Sequence, residues 1–252
     1  MRNLLFLLCL ALSLTLHAQV KVIAHRGYWK APGSAQNSIT GIIKADEIGV
    51  YGSEFDVWRT KEGRLIVNHD RRFGGMDLYA DPFQSCRRLK LKNGERIPTL
   101  IEFLKTARKK TNLRLIFELK SLPTKQEENL AAKEIAELIK DLGVLDRTDF
   151  IAFSLNACIA FRKELPNANI FYLNGDLTPK EVKDLGLTGI DYSVHTLKKH
   201  PEWIDEAHKL GLQVNVWTVN KEKDMRFFIE KEVDFITTDY PLVLQQLQRE
   251  HK

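Results

Sequence analysis

The stretch Leu113-Arg114-Leu115-Ile116-Phe117-Glu118-Leu119-Lys120 decides the fold. Its apolar run reads as a β-strand. The amphipathic stretch that follows, from about Lys125 to Leu142, reads as a helix stopped by Gly143. The same strand-then-helix unit recurs on both sides. Upstream, Val20 to Ala24 precedes a helix over Ser38 to Gly49. Ser53 to Trp58, joined by a short strand at Arg64 to Asn68, precedes a helix that Pro98 opens and that runs through Lys110. Downstream, the strand Phe150 to Phe153 leads to a helix that Asn156 caps and Pro166 ends. Asn169 to Leu173 precedes a helix opened by Thr178-Pro179-Lys180-Glu181. Gly189 to Val194, Gln213 to Val219 and Asp234 to Thr238 precede helices over Pro201 to Leu210, Lys221 to Lys231 and Leu242 to Glu250. Eight such units predict an α/β protein built as a single TIM (β/α)8 barrel, not an open doubly wound sheet. The polar segment Arg71 to Ile97, with turns at Gly74-Gly75, Asp81-Pro82 and Asn93-Gly94, is expected as a short insertion after the second strand. No linker, low-complexity tract or dinucleotide or Walker loop interrupts the pattern.

The first eighteen residues stand apart. Arg2 is a short positive start, Leu4 to Leu16 is apolar, and Leu16-His17-Ala18 resembles a small-residue cleavage site. We therefore expect residues 1–18 to be a cleaved signal peptide and 19–252 to be the barrel domain, exported to the periplasm or secreted. The apolar stretch is too short to span a bilayer comfortably, so no stable membrane insertion is expected after cleavage. A formal charge of +5, spread over dispersed basic pairs, argues for solvated surface and against a nucleic-acid partner. With 44% apolar residues a sizeable core is available. Cys86 and Cys158 lack metal-ligand spacing and are expected as separate, partly buried residues. Nothing in the pattern specifies an oligomeric state.

In such a barrel, chemistry sits where strands run out into loops at their C-terminal ends. His25, Arg26, Glu54, Asp56, His69, Glu118, Lys120 and Trp217 all fall at or near those ends. Residues two apart on a strand share a face, so Glu54 goes with Asp56 and Glu118 with Lys120. Glu54, Asp56 and Glu118 are candidate ligands for one hard divalent cation, Mg²⁺ or Ca²⁺, because oxygen-only sites favour these over zinc. A solvated carboxylate pair beside a Glu118–Lys120 ion pair is the bland alternative. His25 and His69 are candidate acid and base, since imidazole titrates near neutral pH. Asp70 is placed either to orient His69 or to cap the following turn. Arg26 and Lys120 supply positive charge for a phosphate or another oxyanion, or pair with the carboxylates, and Trp217 walls a pocket or fills core. His195, His200, His208 and His251 fit helices or loops.

The ordered set His25-Arg26-Gly27, Asn37-Ser38, Gly52-Ser53-Glu54-Phe55-Asp56-Val57, Gly63, His69-Asp70, Ile97-Pro98-Thr99-Leu100, Glu118-Leu119-Lys120, Trp217-Thr218-Val219-Asn220 and Thr238-Asp239-Tyr240-Pro241 resembles the glycerophosphodiester phosphodiesterase family from about Val22 to Pro241. The resemblance implies a somewhat distorted barrel and a small-molecule glycerophosphodiester substrate, hydrolysed to glycerol 3-phosphate and an alcohol. It implies that Glu54, Asp56 and Glu118 hold the cation and that His25 and His69 are the acid–base pair. Arg26 and Lys120 would contact phosphate, and Trp217 would form a pocket wall. It also implies attack by a hydroxyl of the substrate's own glycerol, with the cyclic phosphate then opened by water. Two departures stand out. Ala35-Gln36-Asn37-Ser38 replaces the family's frequent Pro-Glu-Asn-Thr, removing a charge expected near the metal, and the insertion is short. The alternatives are a related barrel phospholipase acting on intact lipid, with Tyr28-Trp29 as its apolar loop, and a glycerophosphodiester-binding protein without turnover, hinted at by Gln36.

Overall fold

The computed structural model describes residues 19–250. The expected signal peptide and His251 lie outside the described residues. Eight parallel strands close into a barrel: β1 (Lys21–Ala24), β2 (Gly52–Arg59), β6 (Arg114–Leu119), β7 (Thr148–Ala152), β8 (Asn169–Tyr172), β9 (Gly189–Ser193), β10 (Gln213–Trp217) and β11 (Phe235–Thr238). Each pairs with its sequence neighbour around the ring, and β11 returns to β1. The seam between β1 and β2 is the weak join. It spans only Ile23 opposite Gly52 and Ala24 opposite Ser53. Further along, the same strand pairs antiparallel with a ninth, β3 (Leu65–Val67), through Val57 to Arg59. Here lies the distortion: β2 outruns β1 and takes an extra partner.

The insertion is more structured than its polar composition suggested. It folds into a hairpin of β4 (Arg72–Phe73) and β5 (Met76–Asp77) and a short helix α2 (Phe83–Cys86). Ala35, Ile66, Leu78, Cys86, Leu91 and Ile97 form a small core beneath it. The helices are α1 (Ile39–Glu47), α3 (Leu100–Lys110), α4 (Lys125–Asp141), α5 (Leu155–Glu164), α6 (Pro179–Asp184), α7 (Val194–Lys199), α8 (Glu202–Lys209), α9 (Glu222–Glu230) and α10 (Pro241–Glu250). Two helix starts differ from expectation. Thr99, not Pro98, opens α3, through a reciprocal capping box with Glu102. Ser154, not Asn156, caps α5 by accepting from the Ala157 N–H. The short α7 was not expected, since six residues are too few to show a helical apolar period.

Side-chain alternation sorts each strand into two cores. Phe55, Val57, Leu115, Phe117, Phe150, Ile170, Ile190, Val214 and Ile236 face outward against the helices. Ile23, Ile116, Ile151, Phe171, Leu173 and Phe235 fill the barrel. Cys86 and Cys158 are separate and free, and fully rather than partly buried.

Phe117 is fully buried, with the Phe55, Phe150 and Phe161 rings at 5.5, 5.7 and 6.1 Å. Phe117→Ala should lower unfolding stability by about 3–5 kcal/mol, read from the midpoint of urea denaturation.

Candidate active site

Strand register assembles the carboxylates. In the parallel β2–β6 pair Asp56 lies opposite Glu118, and Glu54 sits two residues back on the same face of β2. One oxygen from each of the three falls within 4.8 Å of the others, and all three residues are buried. Two ligands on one Ca²⁺ lie at most about 5 Å apart, so one hard cation can span this set. Glu54 Oε1 is buried and takes no hydrogen bond, as expected of an atom kept for an ion. The residues therefore fit a divalent metal.

The cluster's electrostatics divide its members. Burial, with Asp56 and Glu118 nearby, pushes the Glu54 carboxyl well above the usual range. Burial and Asp56 likewise push Glu118 up to about 7, although Lys120 opposes them. Asp56 goes the other way. Its burial is outweighed by Lys120, His69 and Arg26 and by a hydrogen bond from Asn37, so it stays charged. Lys120 Nζ stands 2.7 Å from Glu118 and 3.2 Å from Asp56, and Arg26 Nε stands 3.7 Å from Asp56. The two cations thus pair with the carboxylates, and Arg26 also lines the cavity described below.

Each histidine is held by an aspartate. His25 Nδ1 lies 2.8 Å from Asp239, which also accepts from Trp29 Nε1 at 2.9 Å and Asn220 Nδ2 at 2.7 Å. These bonds overcome burial and hold the Asp239 carboxyl down at about 2. His69 Nδ1 lies 2.7 Å from Asp70, so Asp70 orients the ring. Burial lowers the His69 pKa, with Asp56 opposing. A carboxylate only accepts, so Nδ1 of each neutral ring carries the proton and Nε2 is a free acceptor.

Both rings open onto one cavity of about 90 Å³ at the C-terminal end of the barrel. Arg26, Glu54 and Glu118 bring charge to its lining, and Ile151, Phe153, Leu173 and Trp217 bring apolar surface. One water needs roughly 10–15 Å³, so the space admits a small polar molecule. Trp217 both lines the cavity and packs against the barrel core. It is half-buried, donates through Nε1 to the Asp191 carbonyl at 2.8 Å and meets Phe153 edge-on at 5.5 Å.

Residues 25–243 match the sequence profile of the glycerophosphoryl diester phosphodiesterase family. The chain belongs to this family. It is accordingly an enzyme, a phosphoric diester hydrolase. A glycerophosphodiester phosphodiesterase of Caldanaerobacter subterraneus subsp. tengcongensis is 31% identical over 248 residues, covering 90% of this chain and 97% of that protein. The crystal structure of a glycerophosphodiester phosphodiesterase from Parabacteroides distasonis superposes with a TM-score of 0.91 at 45% identity, over 92% of this chain and 98% of that one. An Oleispira antarctica phosphodiesterase, solved with its product sn-glycerol-3-phosphate, shares the fold at a TM-score of 0.78 and 20% identity, over 90% and 96% of the two chains.

All eight candidate residues of this phosphodiesterase-family chain meet around the one cavity, Asp56 and Lys120 from just behind its wall. His195, His200 and His208 stay on or beside α7 and α8, away from it. Three residues carried no role in the sequence reading. Asn37 donates to Asp56 Oδ2 at 2.8 Å and accepts from the Asp56 N–H at 3.0 Å. Asp239 holds His25, and Asp191 lines the cavity. The Asp239 signal was available in principle: it follows Thr238, the last strand residue, and a closed barrel sets the last strand beside the first. Gln36 is exposed and accepts from Arg26 at 3.0 Å. It steadies the guanidinium.

These shifts have a consequence for stability. Glu118 binds its proton more tightly folded, at about 7, than at its ordinary 4.5. The folded state is then the proton-rich one, so the metal-free protein should lose stability as pH rises from 4.5 to 7. Calorimetry should show Tm falling across that window and Glu118→Gln flattening the fall. Ca²⁺ or Mg²⁺ should raise Tm more at pH 7 than at pH 5.

Proposed function

We propose that this is an exported, metal-dependent glycerophosphodiester phosphodiesterase, releasing glycerol 3-phosphate and an alcohol. The observation that carries the reading is the pair of aspartate-held histidines opening onto the same cavity as three buried carboxylates, Arg26 and Lys120. The named relatives at 31% and 45% identity support the substrate class. The leader-like residues 2–18 support export. Among the described residues no helix is long and apolar enough to cross a membrane.

Glu54, Asp56 and Glu118 would hold Mg²⁺ or Ca²⁺, which would offset phosphate charge. Arg26 and Lys120, already fixed by their carboxylate partners, bind the phosphate oxygens and stabilise charge developing on them. Nε2 of one histidine takes the proton from a hydroxyl of the substrate's own glycerol as that oxygen attacks phosphorus. The other histidine, protonated, gives its proton to the departing alcohol. The two then exchange roles while water opens the cyclic phosphate. Internal attack makes a serine or cysteine nucleophile unnecessary, because proximity supplies the acceleration. The apolar wall of Trp217 and Phe153 packs the carbon side of the glycerol and keeps water from it.

The two alternatives find less support. Trp29, the apolar loop expected of a phospholipase, is half-buried and hydrogen-bonded to Asp239. Gln36, the hint of a binding protein, bonds only to Arg26 among the site residues.

Release of glycerol 3-phosphate from glycerophosphocholine should vanish on chelation and return with Mg²⁺ or Ca²⁺. His25→Ala and His69→Ala should each lower kcat by about 10²–10⁴-fold. Metal-restored release that survives both substitutions would overturn the acid–base assignment.

Asp239→Asn leaves Nδ1 of His25 a hydrogen-bond partner but no longer a carboxylate. It should lower kcat with little change in KM, measured by steady-state kinetics on the same substrate.

A further inference from the structure

Asp191 is a carboxyl group in the middle of the barrel with no assigned purpose. It lies on β9 between Ile190 and Tyr192, which face the outer core, so its own side chain points inward. It is 1% exposed, yet it lines the same cavity as His25, Glu118 and Trp217. Its Oδ1 is buried and has no hydrogen-bond partner, and among the described residues no cation pairs with it. An unpartnered buried oxygen at a cavity wall is costly unless something that enters the cavity satisfies it.

The surroundings narrow what that can be. Arg26 and Lys120, which suit a phosphate, are paired with Asp56, whereas Asp191 shares the cavity lining with the apolar Ile151, Leu173 and Trp217 and with Thr237. Thr237 is already engaged with Asn215, so it offers no second free oxygen for a metal. Burial pushes the Asp191 carboxyl up to about 8, with a hydrogen bond from Asn215 opposing and the Glu118 charge adding. In either protonation state its unpartnered Oδ1 can accept a hydrogen bond. That chemistry, beside an apolar wall, suits an alcohol hydroxyl on a short carbon chain.

Building on the function proposed above, we propose that Asp191 is a specificity residue that hydrogen-bonds the glycerol hydroxyl not used in attack. It selects glycerol against groups that lack this hydroxyl. Side-chain substitution leaves the Trp217 wall in place, because Trp217 is anchored on the Asp191 main-chain carbonyl.

The test compares glycerophosphocholine with 2-hydroxyethyl phosphocholine, which keeps an attacking hydroxyl and lacks the other. Wild type should prefer the glycerol diester in kcat/KM by about tenfold or more. Asp191→Leu should abolish the preference by losing activity on the glycerol diester alone, whereas Asp191→Asn, an isostere that still donates and accepts, should retain most of it. Asp191→Ala replaces the leucine variant should that one not fold. Equal loss on both substrates, or no change on either, would overturn the proposal. If wild type hydrolyses neither diester, the hydrolysis reading fails and Asp191 is judged by binding. Asp191→Leu should then weaken glycerol 3-phosphate about tenfold and leave 2-hydroxyethyl phosphate unchanged, and equal weakening of both would overturn it.

Discussion

Three carboxyl groups brought within 4.8 Å of one another at the end of two adjacent strands constrain the whole upper half of the barrel. Such a cluster repels itself and has lost most of its water, so the protein must surround it with compensating groups. Lys120 and Arg26 supply charge, Asn37 supplies a donor, and the Arg26 N–H donates to Glu54 at 2.8 Å. Glu54 Oε1 is left without a hydrogen bond, which fits the cation proposed above. Stability and function are therefore in tension here: the groups that weaken the metal-free fold are those proposed to bind the metal.

The loop after β1 shows how local backbone serves that cluster. Arg26 and Asn37 both hold left-handed conformations, at φ 55° and 58°, which are uncommon for residues with side chains. In those conformations the two residues send donors to Glu54 and Asp56. Between them Gly27, at φ 80°, presses on α1, where a Cβ would come 2.8 Å from the Gly41 carbonyl carbon. Glu95, from the insertion, then accepts from the first N–H groups of α1, at Ile39 and Thr40. The insertion thus also braces the loop that carries His25 and Arg26.

Barrel closure does comparable work on the other side. Pairing of β11 with β1 puts Thr238 opposite Ala24, so Asp239 and His25 emerge side by side. The aspartate is then held by Trp29 and Asn220 as well as by the histidine. His69 gets its partner more simply, from the next residue, and remains more exposed. The two dyads are alike in chemistry but differ in how their aspartates are held: Asp239 also accepts from Trp29 and Asn220, whereas His69 is tied through its main-chain carbonyl, which accepts from Trp58.

The sequence by itself determined the repeat of strand and helix, and with it the barrel, because each unit declares itself through local periodicity and breakers. It also determined the eight candidate residues, since charge at the end of an apolar strand is visible without knowing any neighbour. Helix starts at Thr99 and Ser154 were less legible, because several residues at each position could serve as the cap. Only the tertiary structure decided that Asp56 faces Glu118, that Asp239 reaches His25 across 214 positions of chain, and that Gln36 serves Arg26. It alone decided that Asp191, unremarkable within its strand, opens into the cavity. The physical reason is that strand register and ring closure are set by the packing of the whole barrel. No local pattern carries that information.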